Sequence, residues 1–198
     1  VMSMTGPGDG KPYRAGVPIG DIAASMYAVQ SIVMALFQAE RTGEGDYLDV
    51  SMVDCLVQWL TVRAGYTWGA GEPYPRSGNS LEEFVPYGVW DTADGYLAVV
   101  VVADHHWERL CAVIDREDLA DAERFATAAA RVENREAVDD LLTETLAEAP
   151  AEEWFERFRE HQVPAAPILD TEEVWADEHV SQRLGGAFRR LVRSALGA

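Results

Sequence analysis

Few residues in this chain have a type and setting suited to chemistry, and the first is Asp21. It stands at the entrance to an uncharged, strongly apolar run, Ile22 to Ala39. A carboxylate there would be poorly solvated, so its nucleophilicity would depend on neighbouring donors. The same position suits a helix N-cap, and residue type alone does not separate the two roles. Arg76 is either a fork for an anionic substrate or a structural arginine. No metal is expected. His105 and His106 are adjacent and cannot face one site from one side of a helix, and His161 and His179 have no Cys or paired acid at ligand spacing. The chain has no G-x-S-x-G elbow and no Walker A loop. Gly6-x-Gly8-x-Gly10 has neither a strand before it nor a helix directly after it, so it reads as a turn. Cys55 and Cys111 sit in apolar runs, the pattern of buried thiols in a reducing cytosol.

The elements that must position these residues follow from periodicity. Eight glycines and prolines between residues 6 and 20 form an irregular approach to Asp21. From Asp21 to Arg41 apolar residues lie all round the helical wheel, which predicts a helix enclosed by other elements, with Gly43 as its left-handed stop. Its uncharged stretch reaches the ~18 residues of a membrane span. It is rich in Ala, Ser and Gln, and a buried helix with no membrane partner is expected. A strand is expected at Asp46 to Val50, then a helix from a Ser51 cap to about Ala64. Glycines, prolines and aromatics between Gly65 and Ser80 read as a linker, centred on 67–79.

Beyond it, Pro86 to Trp90 and Tyr96 to Val102 flank an Asp94-Gly95 turn, a hairpin signal. Helices are expected at about Asp104 to Ile114, Glu133 to Ala149 and Ala151 to His161. An extended segment, Val163 to Leu169, precedes a short helix capped by Thr171, with Val174 at the capping-box position. Trp90, Trp107, Trp154 and Trp175 read as core and interface aromatics.

In 198 residues, 48% apolar and 25% charged, the chain can bury a real core. Thirty-four acids against sixteen bases give −18, which repels nucleic acid and anionic membranes. Lys11 is the only lysine, and with the acid excess this resembles a salt-adapted, halophilic-type composition. Val1 to Pro7 reads like the middle of a longer protein. No acid follows Glu178, and the residues from Leu184 carry +3, an atypical basic tail.

The order of segments resembles the class III CoA-transferase family, which includes formyl-CoA and carnitine CoA-transferases and the related α-methylacyl-CoA racemases. The resemblance runs through Gly16-Val17-Pro18-Ile19-Gly20-Asp21, Arg41-Thr42-Gly43-Glu44-Gly45 and Asp49-Val50-Ser51-Met52-Val53-Asp54. It continues at Arg76-Ser77-Gly78, Pro86 to Tyr96, Arg124-Phe125 and Gln162 to Pro167. Asp21 aligns with the family's catalytic aspartate, which attacks an acyl-CoA thioester to form aspartyl anhydride and aspartyl-CoA thioester intermediates. Coenzyme A thioester and carboxylic acids are then the substrates, with no permanently bound cofactor. Arg76 and Gly78 become candidate substrate- or CoA-binding residues, and only Gly78 remains of the family's glycine-rich lid.

The implied fold class is α/β: a partial Rossmann-like large domain plus a small α+β domain. Residues 1–66 would be the remainder of the large domain, 67–79 the linker, 80–163 the small domain and 164–198 the return segment. The N-terminal half that carries most CoA contacts in the family precedes the matched region. The resemblance thus implies a homodimer or a complementary chain, and the cysteine usage points to the cytoplasm. An acyl-CoA racemase and a non-catalytic remnant are the alternative readings.

Overall fold

The computed structural model describes residues 1–183, so the basic tail expected from Leu184 lies outside the described residues. The chain divides into two compact units, Val1–Asn79 and the residues from Ser80 onward.

The first unit opens with a 3-10 turn at Met2–Met4 and a glycine-rich loop, then helix α1, Ile19–Thr42. Pro18 holds the cap position, and its carbonyl accepts from Ile22 N at 3.1 Å. The fixed φ of proline suits a helix start. At the other end Gly43, at φ 78°, returns its N–H to Ala39 O, the left-handed stop read from the sequence. Helix α2, Met52–Trp59, starts where Ser51 Oγ accepts from Asp54 N. Helix α3, Thr61–Ala70, ends at Gly71, φ 77°.

Three sequence expectations change here. Asp46 to Val50 is irregular, because among the described residues of this unit no strand lies beside it to complete a ladder. The single helix expected from Ser51 is two, interrupted at Leu60. The expected linker is helical as far as Ala70, since Gly65 and Gly69 each weaken a helix by only about 1 kcal/mol.

Helix α1 packs on α2 at its first turns, where a Cβ on Gly20 would lie 3.2 Å from Met52 Sδ. Ala23 is fully buried and Cys55 nearly so. Elsewhere α1 departs from the enclosed helix of the sequence reading: Val29, Val33, Leu36 and Phe37 are each about 60% exposed. Small side chains at Ala24, Ala28, Ser31, Ala35 and Ala39 form the half-buried stripe. The large ones point away from it. By length and composition α1 also passes for a membrane-crossing helix.

The second unit is built on a three-stranded antiparallel sheet in the order β1-β2-β3: Tyr87–Asp91, Tyr96–Val100 and Ala165–Pro167. Val89 pairs with Ala98, and Ala98 with Ala166, so the return segment expected from residue 164 starts as a strand of this sheet. Asp94 does more than turn the hairpin. Its Oδ1 accepts from Ala151 N at 2.8 Å and so caps a helix far along the chain.

Around the sheet lie α4 (Asp104–Val113), α5 (Ala128–Glu133), α6 (Arg135–Leu146), α7 (Ala151–Glu160) and α8 (Thr171–Ala176). Leu97, Val99, Trp107, Leu110, Phe125, Leu142, Trp154 and Phe158 form one core. The last helix is capped by Asp170, one residue before the expected Thr171. That shift puts Glu173 at the reciprocal position and completes a capping box.

Two arginines brace this unit. Arg131, 1% exposed, donates to Val85 O at 3.0 Å, Phe125 O at 2.9 Å and Asp104 Oδ1 at 2.9 Å. Arg135 donates to the carbonyls of Leu81, Glu82 and Phe84.

Candidate functional site

Asp21 is the third residue of α1 and not its cap, because the chain enters the helix through Pro18. Its side chain is exposed, contrary to the poorly solvated setting expected from the sequence. Among the described residues no hydrogen bond or ion pair engages it. It lies in the first turn, where unpaired amides and the positive end of the helix dipole favour an anion. Gly20, pressed against Met52 and Leu56, fixes the start of the helix. The local sequence explains the arrangement: proline sets the entry, glycine permits the close approach, and Asp21 follows.

Arg76 and Gly78 form a second cluster. The Arg76 guanidinium donates to Ser3 O at 3.2 Å, Pro7 O at 3.3 Å and Gly10 O at 2.8 Å. Gly78, at φ 63°, donates its N–H to Gly6 O at 3.1 Å. A Cβ on Gly8 would lie 2.9 Å from the Arg76 carbonyl. The Gly6-to-Gly10 turn and the Arg76-Ser77-Gly78 segment therefore interlock across about seventy residues of sequence. Among the described residues no hydrogen bond or ion pair links either segment to Asp21.

Beside this interlock is a groove of about 650 Å3, lined by Ser3, Gly8, Arg63, Trp68, Tyr74 and Arg76 among others. The Arg63 guanidinium lies 4.1 Å from the centre of the Tyr74 ring, and Trp68 is 84% exposed. Neither residue is a site candidate in the sequence reading, which places Arg63 in the helix from Ser51 to about Ala64 and Trp68 in the linker. The available signal was the density of aromatics, Tyr66, Trp68 and Tyr74, in a stretch otherwise rich in glycine.

Burial, then the neighbouring His105 and Arg109, pushes the His106 imidazole below its ordinary pKa. Burial pushes the Cys111 thiol up to about 12, which leaves it protonated and unreactive.

The family model of CoA-transferase family III matches residues 1–189. The chain belongs to that family. It is 35% identical over 184 residues to the succinyl-CoA:mesaconate CoA-transferase of Haloarcula marismortui, covering 92% of this chain and 46% of that protein. It is 32% identical over 181 residues to the human succinyl-CoA:glutarate CoA-transferase, covering 91% of this chain and 41% of the human one. Among solved structures it resembles a CAIB/BAIF family protein from Brucella suis, with a TM-score of 0.81 and 32% identity over 92% of this chain and 48% of that one. The chain thus spans about half the length of the curated relatives it matches, and the described residues of both units fall within the family's match.

Proposed function

We propose that this chain carries the nucleophilic carboxylate of a class III CoA-transferase acting between dicarboxylic acids. The observation that carries the reading is Asp21 itself: an exposed carboxylate with no partner among the described residues, in the first turn of α1, within a chain matched by the family over residues 1–189. The relatives named for mesaconate, glutarate and oxalate support the dicarboxylate class.

In the proposed cycle an Asp21 oxygen attacks the thioester carbon of the donor acyl-CoA. The C–S bond breaks, CoA thiolate leaves and a mixed anhydride forms. The thiolate then attacks the aspartyl carbonyl, expels the donor carboxylate and leaves an aspartyl-CoA thioester. The acceptor carboxylate attacks that thioester, forms the second anhydride and releases thiolate. Attack of the thiolate on the acceptor carbonyl yields the new acyl-CoA and frees Asp21. No water is consumed, and the energy of the thioester is retained in covalent intermediates.

Most CoA contacts fall to the complementary part of the family fold, and of the two units the first, which carries Asp21, repels a polyanion less: residues 1–79 hold eight acids and five bases, whereas residues 80–183 hold twenty-six acids and eight bases. The exposed apolar face of α1 is covered by the complementary part of the family fold, on a second polypeptide or a longer form of this one, within a dimer. The acidic unit suits a salt-rich cytoplasm.

The test is transfer itself. The chain, alone and mixed with the unmatched part of the Haloarcula relative, is incubated in molar KCl with succinyl-CoA and carbon-13 glutarate. Labelled glutaryl-CoA supports the reading, and hydrolysis or no product in both mixtures contradicts it.

A further inference from the structure

We infer that Arg76 is a positioning residue whose guanidinium clasps the glycine-rich segment leading into Asp21, and that this clasp sets the approach to the carboxylate. The inference rests on the assignment of Asp21 as nucleophile.

Three carbonyls, that of Ser3 in the 3-10 turn and those of Pro7 and Gly10 in the loop after it, converge on one planar guanidinium, with Nε, Nη1 and Nη2 each donating to one of them. A fork of fixed geometry can span three acceptors in this way, whereas a lysine ammonium is a point charge that cannot. An arginine used so has most of its donors committed to the backbone, which argues against a primary role as an anion ligand. Residues 5–18 contain no helix or strand, and their backbone hydrogen bonds among the described residues include Thr5 N to Met2 O at 3.0 Å, Tyr13 N to Thr5 O at 2.7 Å, Gly10 N to Pro7 O at 3.2 Å and Gly78 N to Gly6 O at 3.1 Å. Gly8 lets the loop lie against the Arg76 carbonyl, where any larger residue would meet it at 2.9 Å.

The path to the nucleophile is short. After the anchored Tyr13, residues 14–18 lead directly into α1, and Asp21 is its third residue. The helix start is pinned separately, by Gly20 against Met52 and Leu56. Loss of the clasp should therefore free the loop and the chain before Asp21 while leaving α1 in place. The two residues that the sequence offered as substrate ligands, Arg76 and Gly78, acquire a shared role in this arrangement. They fasten one turn to another.

The experiment compares the full chain with Arg76→Ala, Arg76→Lys and Gly8→Ala in two readouts. The first is tryptic cleavage after Arg14, together with hydrogen exchange of the peptide containing Tyr13. The second is the rate of covalent adduct formation at Asp21 as a function of acyl-CoA concentration. Far-UV circular dichroism confirms that helix content is retained. For Arg76→Ala the expected result is about tenfold or more faster cleavage and an adduct rate lowered by a similar factor, as for losing charge-assisted hydrogen bonds. The acyl-CoA concentration at half-saturation stays unchanged, and added methylguanidinium restores both readouts. Arg76→Lys falls between, and Gly8→Ala reproduces the loosened loop with the arginine intact.

Unchanged cleavage and exchange in Arg76→Ala would refute the clasp. A freed loop with an unaltered adduct rate would refute positioning, and a raised half-saturation concentration with an intact loop would make Arg76 a direct ligand instead. Absence of any adduct on the wild type would overturn the Asp21 assignment and the positioning role with it, while the cleavage readout would still decide the clasp.

Discussion

The two units of this chain solve the problem of burial differently. From Ser80 onward, eighteen residues form a closed core in which Trp107, Leu110, Val138, Leu142, Leu146 and Phe158 are fully excluded from solvent. In residues 1–79 only Ala23 and Cys55 fall in the buried class among the described side chains, while α1 displays its largest apolar residues. Charge divides the same way, with twenty-six acids and eight bases in residues 80–183 against eight and five in the first unit. One unit is a self-sufficient fold with a strongly hydrated surface. The other bears the proposed chemistry on a scaffold whose apolar face is left uncovered among the described residues.

The comparison is broken most forcefully by removing a core residue of the second unit. Trp107→Ala should cost about 3–5 kcal/mol, since the indole is fully buried, packs 5.8 Å from the Phe125 ring centre and donates its Nε1–H to Leu119 O. Chemical denaturation of the full chain should show this loss in the buried tryptophan signal, with α1 unaffected. A uniform loss across both units would deny that they are independent. A salt series sharpens the electrostatic side: raising KCl from low to molar concentration should stabilise the second unit by about 1 kcal/mol, roughly 4–8 °C in Tm. The first unit should gain little.

The smallest effect is local to α6. Burial raises the Asp139 carboxyl above its ordinary pKa, with Arg135 opposing and Asp140 adding to the shift. Because the folded value lies above the unfolded one, ionised Asp139 reduces stability above the folded value. That deficit disappears as pH falls through the folded value to below the unfolded pKa, about 3.9. Asp139→Asn should therefore stabilise the chain at pH 7 by less than about 1 kcal/mol, since the group is only partly buried, and by nothing near pH 3. A pH series of denaturation midpoints for both proteins checks the sign.

Much of this was legible in the amino-acid order. The Gly43 stop, the Ser51 cap, the Asp94-Gly95 hairpin and the limits of α4 and α7 all follow from local chemistry that tertiary contacts do not override. What local signals missed depends on distant partners. Asp46 to Val50 has strand character but no strand neighbour among the described residues, and Asp170 outcompetes Thr171 as a cap because its Glu173 can reciprocate. Arg131 is invisible as a buried residue in sequence, since its burial depends on carbonyls at Val85 and Phe125 and a carboxylate at Asp104. Asp21 is singled out in the sequence by its neighbourhood and its family resemblance, and the structure places it exposed in the first turn of α1. The partners of Arg76 are not singled out, because they lie about seventy residues earlier in a loop whose glycines resembled a simple turn.

The central claim, that Asp21 is the group that accepts the acyl chain and then CoA, is tested most directly by mass spectrometry of the protein in molar KCl after incubation with succinyl-CoA, beside Asp21→Ala. A covalent succinyl or CoA adduct on the wild type, mapped to the peptide containing Asp21 and absent from the variant, is the predicted result. An adduct that persists in Asp21→Ala, or none on the wild type even with the unmatched part of the Haloarcula relative present, would contradict it.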